Sequence, residues 1–306
     1  MRPHANPGSP RGRHRMPAAQ TAAGHNMRHM RTEGPTVTRR EAPGVRRAPR
    51  QRRAGFGGAL RSELTKIRTV RSTYWTLVAM IAVTVFTGVV NCVATGPGAV
   101  GPGYDPTYLS LQGFIFGQLV IAVLGAVAIT SEYSTGMIDA SLTVQPRRVT
   151  VYAAKAAAVA LVAMAAGLVA SFASFLLGQA ILNRRDLGTS LGQPHVLRAV
   201  VGAGLFLAVS GLLALGLGAV FRSAAGAIAA AIAVLFITIP VEAFLPAAMQ
   251  TAVDRWIPFN AGSQVFSTVA DPGAHQFSPW AGITVFTAYS AAALAAGLVL
   301  FLRRDA

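Results

Sequence analysis

The sequence predicts an all-α integral membrane protein with six transmembrane helices. Three observations predict it. First, the 306 residues are 53% hydrophobic and only 12% charged, against about 25% charged in an ordinary soluble domain. Second, six long apolar segments fall at approximately 74–93, 108–130, 156–182, 199–221, 224–245 and 280–302. Each is long enough to cross about 30 Å of hydrocarbon as a helix, and none has a charge in its middle third. Third, strands of alternating polarity, the mark of an outer-membrane barrel, are absent from the pattern. Helix is then the conformation that satisfies each span's backbone groups within its own segment.

The charge is one-sided and local. The chain carries 27 Lys+Arg and 11 Asp+Glu, for a net charge of +16. Residues 1–72 hold 17 of the basic residues and 3 of the acids, so the remaining chain is close to neutral. Residues 1–55 hold 13 Arg, 7 Pro and 6 Gly and no Phe, Tyr or Trp, and their only branched aliphatics are Val37 and Val45. Such a segment buries too little apolar surface to offset its ordering entropy and is expected to be a disordered basic leader. It lacks the aromatic platforms of single-strand nucleic-acid binders, so no nucleic-acid partner is expected; anionic lipid suits the charge. The first apolar run begins only at Tyr74, so the leader does not read as a secretory signal.

Residues 56–73 read as an amphipathic interfacial helix. Leu60, Leu64, Ile67 and Val70 recur at helical spacing, and Glu63, Lys66, Arg61, Arg68 and Arg71 take much of the remaining surface. Tyr74 and Trp75 follow, an aromatic pair suited to the membrane interface. The Lys and Arg distribution sets the orientation. With the N-terminus inside, cytoplasmic segments from residue 56 onward carry ten basic residues and external segments four, Arg184, Arg185, Arg198 and Arg255. Both termini are therefore expected in the cytoplasm. Two loops are long: a cytoplasmic one at 131–155, and an external one at 246–279 containing Trp256, Pro258, Phe259 and Asn260.

Missing motifs narrow the function. The two lysines, Lys66 and Lys155, do not follow a glycine, so no phosphate-binding P-loop is present. There is no H-E-x-x-H, the six histidines are scattered, and the single Cys92 excludes a Cys-based zinc site. No metal site, no bound cofactor and no catalytic residue are expected. Glu242 is the one acid within a span, close after Pro240. Two readings stay open for it: a contact in the translocation path or external gate, with Pro240 and Asn260, or an interfacial acid satisfied by water. Gly113-x-x-x-Gly117 permits close helix approach, either within the subunit or across a dimer seam. In the 131–155 loop, Met137, Ile138 and Leu142 could form an apolar face on a short helix ending before Pro146. That helix would either be gripped by a partner domain or lie on lipid.

Leu60-Arg61-Ser62-Glu63-Leu64-Thr65-Lys66-Ile67-Arg68-Thr69-Val70-Arg71-Ser72 resembles the segment before the first span of actinobacterial ABC-2 type transporter permeases. Ser131-Glu132-Tyr133-Ser134-Thr135-Gly136-Met137, followed by Pro146-x-Arg148 and Ala154-Lys155, is similar to the same family, as is Ile257-Pro258-Phe259-Asn260-Ala261-Gly262. The resemblance covers about residues 56–306. It implies the membrane-spanning permease subunit of an ABC transporter in the bacterial plasma membrane, an exporter without enzymatic activity of its own. A separate ABC ATPase subunit would bind ATP and magnesium, and a second permease subunit, identical or not, would complete the pore. The loop 131–155 would carry the coupling helix, with Glu132, Tyr133, Gly136, Met137 and Ile138 facing the ATPase. Residues 60–72 would form the interfacial elbow helix. The alternatives are an ion-coupled secondary transporter, for which no midplane titratable group is found, and a membrane-embedded enzyme or assembly factor.

Deleting residues 1–55 is expected to leave membrane insertion and the melting temperature in detergent unchanged. A misfolded product would show that the leader is structural.

Overall fold

The computed structural model describes residues 55–304 apart from 97, 99, 102, 136–147, 238–239, 241–243 and 270–275. Among the described residues the chain is helical and has no strand. The helices are α1 (Phe56–Thr69), α2 (Arg71–Ala94), α3 (Pro106–Leu111), α4 (Phe114–Thr135), α5 (Arg148–Leu182), α6 (Val196–Phe221), α7 (Ala224–Ile232), α8 (Ala247–Asp254), α9 (Pro258–Ser263) and α10 (Pro279–Arg304). Five helical stretches are long and apolar enough to cross a membrane: Arg71–Ala94, Pro106–Thr135, Arg148–Arg185, Val196–Phe221 and Pro279–Arg303.

The predicted fifth span behaves differently. From Ala224 the chain makes nine α-helical residues, then a five-residue π segment at Ala233–Ile237. Together these rise roughly 20 Å, short of the hydrocarbon thickness. The expected cytoplasmic loop is shorter than its spacing suggested. α4 runs on to Thr135 and α5 starts at Arg148, because Val151, Tyr152 and Lys155 are buried on α5 instead of lying in a solvated connection. α5 has 35 residues, about 50 Å of helix, more than the hydrocarbon requires. The stretch 246–279 contains α8, α9 and the 3₁₀ turn Gln264–Phe266.

α6 is the centre of the bundle, packed by α4, α5 and α10. Of its most apolar stretch 78% is buried, against 22% for α2 and for α10. Small residues make this possible, since helices in lipid associate by close packing and not by a hydrophobic drive. A Cβ on Gly125 of α4 would overlap the carbonyl oxygen of Gly211 on α6. On Gly216 of α6 it would come within 2.5 Å of the Ala293 backbone on α10. Gly113 and Gly117 face Thr84 of α2 in the same chain, which assigns that motif to packing within the subunit. A few interhelical hydrogen bonds add to the packing: Ser290 Oγ donates to the Val209 carbonyl at 2.9 Å, and Tyr152 Oη to the Leu294 carbonyl at 3.1 Å.

At one end of the bundle, the ring of Phe206 on α6 packs tilted against Phe286 and edge-to-face against Phe266 and Phe259, at ring separations of 5.2, 5.5 and 6.0 Å. The same end holds Asp105, which caps α3 by accepting from the Tyr108 amide at 2.9 Å. It also accepts from the Thr268 hydroxyl at 2.7 Å and the Val269 amide at 3.0 Å. α1 lies at the other end. Its last residue and Arg71 of α2 are separated by Val70 alone, whose backbone is extended.

Gly125→Ala is expected to lower the melting temperature in detergent, because a backbone carbonyl on α6 must yield. Gly211→Ala, whose added methyl meets nothing closer than Val159 Cγ1 at 3.4 Å, is expected to leave it unchanged.

Candidate functional site

α1 presents two charges one turn apart, Glu63 and Lys66. The last turn of α4 supplies Glu132, and the second turn of α5 supplies Lys155. These four meet in a closed ring at the end of the bundle. Lys66 Nζ lies 2.6 Å from Glu63 Oε1 and 3.0 Å from Glu132 Oε1. Lys155 Nζ lies 2.6 Å from Glu63 Oε2 and 2.8 Å from Glu132 Oε1. Each lysine therefore answers both carboxylates, and each carboxylate both lysines. The side chains of Glu63, Glu132 and Lys155 are only 6–7% exposed, while that of Lys66 is 35% exposed. Burial alone would lower the Lys66 pKa; the hydrogen bonds and charges of Glu63 and Glu132 outweigh it and raise the pKa above the ordinary 10.5.

A lone buried charge would be costly, but a closed, hydrogen-bonded ring satisfies each member. Its mechanical effect is to clamp three chain segments that are far apart in sequence: α1, the end of α4 and the start of α5. A fourth element lies alongside. Arg222, in left-handed backbone at the end of α6, places its guanidinium 5.0 Å from the Tyr133 ring centroid.

The helix expected over 56–73 forms at Phe56–Thr69, but its buried pole differs from the expected apolar stripe. Ala59 and Glu63 are its buried residues; Leu60, Leu64 and Ile67 are half-buried and Val70 is exposed. The reason is the ring: Glu63 must face α4 and α5 to meet Lys155. Arg71 is exposed at the start of α2. Glu132 and Tyr133 sit at the clamp, whereas Gly136, Met137 and Ile138 lie outside the described residues. Sequence reasoning counted Lys155 as a topology charge and as part of the family-like stretch, without assigning it to the site. The signal that marks it is its rarity: it is one of two lysines beside 25 arginines. A compact ammonium fits between two carboxylates where a planar guanidinium does not fit equally.

Pro240 is exposed, and Glu242 lies outside the described residues. Asn260 donates to the Asp254 carbonyl at 3.3 Å and to the Asp254 carboxylate, which ties α9 to the end of α8. Among the described residues no group of three or more His, Cys, Asp or Glu is placed to hold a metal ion.

The family model of the ABC-2 family transporter proteins matches residues 59–241. The chain belongs to this family. A search of curated proteins found no match. The matched stretch starts on α1 and contains all four charges of the ring. The protein is thus a multi-pass membrane permease component of an ABC transporter, from a family that normally works with an ATP-binding subunit.

Replacing Lys155 by Met in this permease leaves the two buried carboxylates sharing Lys66 alone, one uncompensated negative charge, and is expected to cost about 3–5 kcal/mol. Adding Glu63→Gln should recover part of that loss, since Lys66 and Glu132 still balance. Lys155→Arg is not expected to restore the wild-type melting temperature. A double-mutant cycle followed by thermal unfolding in detergent measures the coupling.

Proposed function

We propose that the chain is the membrane-spanning subunit of an ABC exporter in the bacterial plasma membrane, driven by a separate ATPase. In this reading both termini are cytoplasmic, residues 1–55 are a disordered leader, and six segments span the bilayer. The crossing beyond the five long helices comes from 224–245, the fifth in chain order, where the apolar helix Ala224–Phe236 would supply the first part. A second permease subunit completes the translocation path. ATP and magnesium bind the ATPase, and this chain binds no cofactor. Glu242, Pro240 and Asn260 belong to the external half of the path.

The observation that carries the proposal is the charge ring in a chain of this family. α4 and α5 flank residues 136–147, the centre of the proposed coupling loop, and their facing turns hold Glu132 and Lys155. An ATPase that grips Gly136, Met137 and Ile138 would push on both helices at once. The ring would pass that displacement to Glu63 and Lys66, and so to the elbow helix. Α1 would then act on α2 through the single residue Val70. The basic residues near the ring, Arg61, Arg68 and Arg71, suit the inner membrane surface.

Affinity purification of the tagged chain from its native host is expected to bring down an ATPase whose turnover rises in the complex. Gly136→Trp and Glu132→Ala should each insert normally and lose that stimulation. Absence of any ATPase partner, or unchanged stimulation in both variants, would refute the coupling assignment.

A further inference from the structure

A cavity of about 530 Å³ lies between α1, the start of α2 and the adjoining ends of α4 and α5. That volume falls within the roughly 300–1,000 Å³ of small-ligand sites. The chemistry of the wall changes along its length. One end is the charge ring; the other is apolar, formed by Val123, Leu124, Val127 and Val159. We propose that this cavity seats one acyl chain of an anionic phospholipid, with the lipid phosphate at Lys66.

Three observations select this occupant. Lys66 is the most exposed member of the ring, and two of its three N–H donors serve Glu63 and Glu132, which leaves one for an anion. The ring itself is neutral, so the surplus charge nearby is that of Arg61, Arg68 and Arg71, all exposed. That surplus favours an anionic over a zwitterionic headgroup. Val70, Val123 and Val127 are exposed along the cavity, at 47%, 36% and 40%. A free phosphate would leave these residues uncovered, and a plain hydrocarbon would leave the Lys66 donor unused. A molecule with both parts satisfies both ends. The lipid would then fill the space beneath the elbow helix and brace it against α4.

The inference rests on the membrane reading above, but its test needs no ATPase, so its failure leaves the permease assignment standing. The full chain is purified in detergent, stripped of lipid, and offered phosphatidylglycerol or phosphatidylcholine with identical acyl chains. Native mass spectrometry is expected to show one phosphatidylglycerol retained per chain, at roughly tenfold lower concentration than phosphatidylcholine. Val127→Trp and Val70→Trp should each abolish retention, while Val169→Trp, on an exposed face of α5 and outside the cavity lining, should not. A phosphatidylglycerol carrying a photoactivatable acyl chain should crosslink the wild-type chain within residues 119–135. Equal retention of both lipids, undiminished retention in both cavity variants, or no crosslink on α4 would overturn the proposal. So would crosslinking of residue 127 to a second copy of the chain, which would assign the groove to a subunit interface.

Discussion

Two glutamates and Lys155 leave water where α1 meets α4 and α5, with the half-exposed Lys66 closing the ring, and the geometry of this end of the molecule follows from that. The desolvation of each ion amounts to several kcal/mol and is offset only when every charge has a close, hydrogen-bonded counterpart. Distances of 2.6–3.0 Å around the ring meet that condition. Meeting it fixes three backbones. α4 must continue to its last turn to deliver Glu132. α5 must begin early enough to place Lys155 in its second turn. α1 must turn Glu63 inward and leave Leu60 and Leu64 half-buried. The short separation of α4 and α5 in sequence and the orientation of α1 are therefore consequences of one electrostatic requirement.

The interior of the bundle obeys a different rule. Around α6 the determining feature is the lack of side-chain bulk at Gly125, Gly167 and Gly216, which lets backbones approach and gain dispersion contacts. Polar side chains there mostly close on a carbonyl of their own or a neighbouring helix, as Ser210 does on Phe206 and Ser290 on Val209. The bundle thus holds together by close packing, while α1 is fastened to it by charge. Buried charge pairs are little screened by salt, so the fastening does not weaken with ionic strength as surface pairs do.

Five of the long helices were legible in the sequence because hydropathy alone decides whether a segment of more than twenty residues is at home in hydrocarbon. The segment 224–245 was equally apolar, yet its helix changes to π geometry at Ala233–Ile237. An alanine-rich composition does not encode such a change in winding. The elbow helix was legible as a helix, but its orientation was not. Periodicity ranks faces by hydrophobicity and so pointed Leu60, Leu64 and Ile67 inward. What decides is Lys155, 92 residues from Glu63, and a single sequence does not pair distant charges. Residue choice offered the one usable trace: in a chain with 25 arginines, both lysines stand where an ammonium sits between two carboxylates.

The clamp also bears on how a push from outside the membrane would travel in the proposed permease. A displacement applied between α4 and α5 meets two helices tied to a third by four short ion pairs. Separating them exposes unpaired charge in a buried site, a larger penalty than moving the three as one body. In that proposal the motion would leave the clamp through the helix covalently next to it. α2 is joined to α1 through Val70 and has only 22% of its apolar stretch buried, whereas α6 is enclosed on several sides. In the proposed permease, a clamp that moves as one body would hand its displacement to α2, the span joined to α1 through the single residue Val70.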